Sequence, residues 1–120
     1  MKKNIIGLLV LLAFQLGHLA AQSEESFSGE IMDSHCAMAG SHADGIEALK
    51  KKGVADANSV DCTRACLKKG AKYVLYDSQN KIVYQLDNQR APNIYAGEKA
   101  TVVGTLNKET NTIQVKNIRH

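Results

Sequence analysis

The chain has 120 residues, with 15 basic against 12 acidic side chains and a formal charge of +3. Two of the basic residues, Lys2 and Lys3, belong to a leader-like start, so the remainder is close to neutral and lacks the basic excess on which phosphate binding depends. Nucleic acid is therefore weighed against as a partner. What remains is about a hundred residues, enough for one domain with a thin core, a size at which a disulfide or a metal often supplies needed stability.

Residues 1–21 carry the three parts of an export signal. Lys2 and Lys3 form the positive start, an apolar run over 5–16 is broken only by Gly7 and Gln15, and Ala20 and Ala21 are the small residues of a cleavage point. The run is shorter than the ~20 residues that cross a bilayer, and His18 interrupts it. The expectation is a signal peptide over 1–21, one domain over 22–120, no membrane span after cleavage, and a periplasmic or secreted location.

Beyond the signal, residues 26–33 alternate around Phe27, Gly29 and Ile31 and predict a strand, closed by the polar cluster Asp33, Ser34 and His35. Asp33 and Ser34 read there as capping or turn residues. Asp44 with Glu47 makes a capping box, Lys50 to Lys52 suit a helix end and Gly53 a stop, so a helix is expected over 45–52. Ser59 or Asp61 starts another, which passes through Cys62 and Cys66 and stops at Gly70. From Lys72 the period changes to two: strands are expected over 72–77 and 81–86, joined by a turn at 77–80, and over 99–106 and 112–118. The stretch 88–97, with Pro92 and Gly97, fits a loop or one helical turn. In order, these elements predict a mainly β fold: a five-stranded barrel of oligonucleotide/oligosaccharide-binding (OB) type, with a cysteine-bearing helical insertion at about 36–70 between the first two strands.

The cysteines hold most of the chemical information. Three of them in an exported chain cannot all pair within one molecule. Cys62 and Cys66, at i and i+4, share one helix face. With Cys36 and His42 they make a Cys3His set that would close a tetrahedral zinc site; His35 is the alternative fourth ligand and copper the alternative metal. The same cysteines also allow a disulfide from Cys36 to Cys62 or to Cys66, worth roughly 3 kcal/mol in the chain-entropy account. That staple would leave one thiol for a disulfide-linked dimer. A third reading, a redox thiol, lacks both a C-x-x-C pair and a βαβ setting.

Other chemistry is sparse. Asp33, Ser34 and His35 are adjacent and cannot form a relay, and neither a G-x-S-x-G elbow nor a phosphate-cradling glycine loop occurs. Tyr73 and Tyr76, three positions apart in a strand, point to opposite faces, so packing at the barrel rim is a better account of the tyrosines than a stacking platform.

The segments Gly29-Glu30-Ile31-Met32-Asp33-Ser34-His35-Cys36, Cys62-Thr63-Arg64-Ala65-Cys66 and Val102-Val103-Gly104-Thr105-Leu106 resemble those of a group of small exported bacterial proteins. The second half is also similar to periplasmic bacterial OB-fold proteins, with a Gly-x-Ile strand, an aromatic-rich hairpin and a Val-x-Gly-x-Leu strand. Neither resemblance implies a catalytic mechanism. The residues themselves favour a non-enzymatic binding domain that holds zinc or copper. The alternative is a disulfide-stapled module that binds a peptide, a glycan or another envelope component.

Overall fold

A computed structural model describes residues 23–120; the expected signal over 1–21 lies outside the described residues. Its elements in chain order are β1 (Glu25–Asp33), α1 (Ser34–Ala39), α2 (Ala43–Lys51), α3 (Ser59–Lys68), β2 (Tyr73–Asp77), β3 (Ile82–Leu86), a 3-10 helix (Ala91–Tyr95), β4 (Lys99–Asn107) and β5 (Thr112–Arg119). The five strands form one mixed sheet that closes into a ring in the order β1-β2-β3-β5-β4. Every pairing is antiparallel except β3 with β5, which meet in parallel.

Side-chain alternation explains how one sheet builds two cores. Phe27 and Ile31 of β1 and Tyr73 and Leu75 of β2 point into the ring, where they meet Leu86, Val102, Ile113 and Ile118. Met32 and Val74 face the other way and are buried with Cys36, Ala37 and Cys62 beneath the helices. The adjoining ends of β1 and β2 are thus covered on both faces, which is why Ile31, Met32 and Asp33 are buried in succession rather than alternately. Tyr73 and Tyr76 fall on opposite sides as their spacing requires, Tyr73 in the ring core and Tyr76 against the helical cluster.

The insertion between β1 and β2 holds three helices where the sequence predicted two. The additional one, α1, begins directly after β1 because Asp33 caps it, its Oδ2 accepting from the Cys36 amide at 2.9 Å, and it ends at Gly40 with φ of 80°. Helix α2 starts two residues earlier than expected, with His42 rather than Asp44 at the cap position, and no side chain caps it. Helix α3 is capped by Asn58 in a reciprocal box with Asp61. The 88–97 stretch contains the single short helix, and β5 extends to Arg119.

Gly97 ties the insertion to the ring. Its amide donates to the Ile31 carbonyl at 2.7 Å, and its carbonyl accepts from the Ser59 hydroxyl at 3.0 Å, joining β1 to the start of α3. A Cβ here would lie 2.6 Å from the backbone nitrogen of Val60, and φ is +77°. Gly97→Ala is therefore expected to destabilise the fold by more than about 1 kcal/mol. For a domain of this size that is a loss of roughly 4–8 °C in Tm, readable by thermal melting against the wild type; an unchanged Tm would mean that the approach of α3 to this loop is not a constraint.

Candidate metal centre

Four side chains from three parts of the chain meet under the helices. Asp33, Cys36, Cys62 and Cys66 each offer one ligand atom, and those atoms all lie within 4.8 Å of one another. The local sequence explains the meeting. Asp33 at the N-cap and Cys36 three residues on are brought together by the first turn of α1. Cys62 and Cys66 are one helical turn apart on α3, whose packing against β1 delivers both sulfurs to the same place. The Sγ atoms of Cys36 and Cys62 are 3.3 Å apart. All three cysteines are free, with Cys36 and Cys62 buried and Cys66 half-buried.

Helix α2 closes the cluster from outside through Gly45. A Cβ on Gly45 would clash with the Cys62 sulfur and lie 3.6 Å from that of Cys36, so the helix backbone sits directly on the sulfurs and only glycine permits the approach.

The fourth ligand expected from sequence, His42 or His35, lies outside this cluster. His42 is buried, but its Nε2 lies 2.9 Å from Glu30 Oε1 on β1, and it is not among the four clustered residues. His35 is exposed on α1. Asp33 is the fourth member of the cluster because α1 starts immediately after it and folds it back over Cys36, whereas His42 follows α1 and pairs with Glu30. The D-x-x-C spacing was the available signal, since an Asp at a helix cap lies beside the residue three positions on. Nothing in the sequence marked Gly45.

The electrostatics are unusual for a small domain. Asp33 is fully buried, and its Oδ1 has no hydrogen-bond partner. Among the described residues it forms no ion pair. Burial pushes the Cys36 thiol far above its ordinary value, with the Cys62 hydrogen bond and the Asp33 carboxylate adding to the effect. Burial likewise moves Cys66 up to about 11, followed by repulsion from Asp33. The cluster thus gathers four groups that bind cations as anions and offers no positive side chain among them. Elsewhere, the tyrosines have structural partners: Tyr73 donates to Asn93 Oδ1, Tyr95 donates to the Ile118 carbonyl, and Tyr84 packs on Phe27.

Comparison with protein-family models, curated proteins and solved structures finds no match to this chain. Among the described residues no helix is long and apolar enough to cross a membrane.

The raised thiols give a signed pH dependence for the metal-free protein. The folded chain keeps the Cys66 proton up to about 11, whereas the unfolded chain releases it near the ordinary value of 9.0, so the folded state binds more protons between those values. Stability contributed by the neutral thiol is complete below about pH 9 and is lost as the pH climbs toward 11. Urea melts of the reduced protein at low and high pH should show this fall, and Cys66→Ser should reduce it; identical pH profiles for the two proteins would contradict the buried-thiol environment.

Proposed function

We propose that this protein is a small exported, non-enzymatic domain of OB-like barrel type that binds one zinc or copper ion through Cys36, Cys62, Cys66 and Asp33. The observation that carries the reading is the buried Asp33 Oδ1 with no partner. An unpaired polar atom of this kind costs about 1–3 kcal/mol, and the Cys36 and Cys66 thiols beside Asp33 are weak donors that offset only part of such a cost, so the arrangement favours a cation. A metal resolves both problems at once: it takes the free carboxylate oxygen and replaces the thiol protons that burial otherwise retains.

Three sulfurs and one oxygen make a complete tetrahedral set for zinc, closed to water, and so suited to a structural or carrier role rather than hydrolysis. Copper(I) would draw on the sulfurs alone, since soft thiolates suit it. The strand order and the single parallel contact between β3 and β5 support the OB-like description, and the apolar run over 5–16 supports export. A second reading, an interaction module for an envelope component, draws on a groove of about 720 Å³ on the outer face of β1, bordered by Ser28, Glu30, His42, Tyr76 and Thr101. The groove does not include the sulfurs.

Calorimetric titration of the reduced chain with zinc tests the metal reading. One equivalent is expected, with three thiols lost to alkylating reagents on loading. Asp33→Asn keeps an oxygen for the Cys36 amide and removes the anionic ligand; the loss in affinity should be at least tenfold, since even outer-shell changes cost about 10–100-fold. His42→Gln should leave affinity unchanged. Failure of the fully reduced protein to bind either metal would overturn the reading.

A further inference from the structure

Cys36 and Cys62 stand 3.3 Å apart, sulfur to sulfur, whereas a disulfide requires about 2.0 Å, so a small side-chain rotation separates the thiol pair from a bond. They come from different helices, α1 and α3, which frees them from the awkward geometry of a bridge between Cys62 and Cys66 within one helix. Joining them would leave Cys66 and Asp33, too few ligands for a closed zinc site.

We propose that the cluster is a redox switch in which a hydroperoxide joins Cys36 to Cys62 and expels the metal. The peroxide oxygen transfers to one sulfur, its O–O bond breaks, and a sulfenic acid and one water (for an alkyl hydroperoxide, one alcohol) are formed. The second sulfur attacks the first, the S–S bond forms, the S–O bond breaks, and the oxygen leaves as water. The sulfurs lose two electrons, and the two protons come from the thiols or, in the metal-loaded state, from solvent. Of the two sulfurs to be joined Cys36 is the more exposed, 7% against 1%, so access to the pair is restricted to a small oxidant. Half-buried Cys66 is the sulfur left over as a thiol once they are linked. The oxidised state also stiffens the fold, since the link ties α1 to α3 across α2.

Only the release of metal rests on the function proposed above; the disulfide itself does not. The test therefore treats metal-free and zinc-loaded protein side by side with hydrogen peroxide, followed by alkylation, trypsin digestion and mass spectrometry. Cleavage after Arg64 places Cys62 and Cys66 on separate peptides, so the link is assigned without ambiguity. The expected end point in both samples is a fall from three free thiols to one, a Cys36–Cys62 linked peptide pair and an alkylated Cys66, reached more slowly without zinc because burial keeps the Cys36 thiol protonated. Zinc should pass to a coloured chelator in step with the link and return after dithiothreitol. Cys66→Ser should still form the link, and Cys36→Ser should not. A link that uses Cys66, or thiols that persist in the metal-free protein, would overturn the switch. Zinc retained after the link forms would overturn its coupling to the metal, and a reduced protein that never binds zinc would instead count against the metal reading alone.

Discussion

The fold and the candidate site both depend on the burial of Asp33. This residue ends β1, caps α1 through one carboxyl oxygen and has a carboxyl oxygen within 4.8 Å of three cysteine sulfurs, all with no exposure to solvent of its own. A buried carboxyl is among the costlier groups to place in a small core. The cap offsets part of that cost, and the other oxygen has no hydrogen-bond partner. Moving Asp33 by one residue in either direction would lose the cap, because the carboxylate would no longer lie three residues before the Cys36 amide.

Around that residue the insertion is arranged as a cover. Helix α1 supplies one sulfur, α3 supplies two, and α2 lies over them through the bare backbone of Gly45. The cover is attached to the ring at a few defined points: the shared hydrophobic cluster of Met32, Val74 and Cys62, the Gly97 contact with α3, and the His42–Glu30 pair that fixes the start of α2 to β1. The ring core of Phe27, Ile31, Leu75, Val102 and Ile113 is separate from it, so the strands can form their own interior while the sulfur cluster sits on their outer side.

Much of this was legible in the sequence, and for identifiable reasons. The β segments read correctly because they alternate and are separated by strong turn residues such as Asp77 to Asn80, where Asp77 accepts from the amides of Gln79 and Asn80. The convergence of Cys36, Cys62 and Cys66 followed from the helical spacing of the latter two and the position of the first at a strand end. The place of Asp33 in the cluster did not, because it read as the close of a strand or as a turn, and a six-residue helix is too short to leave a periodic trace. His42 attracted attention as an imidazole near cysteines, yet a carboxylate partner on a neighbouring strand claimed it, a tertiary contact that local pattern does not encode. Gly45 was invisible for the same reason: its role is defined by what lies across from it.

X-ray absorption at the zinc edge of the metal-loaded protein tests the centre most directly, since it counts the ligand atoms by element and distance. Three sulfurs at about 2.3 Å and one oxygen at about 2.0–2.2 Å are expected. A first shell with fewer than three sulfurs, or with the ring scattering of an imidazole in place of the oxygen, would contradict the assignment of Asp33, Cys36, Cys62 and Cys66.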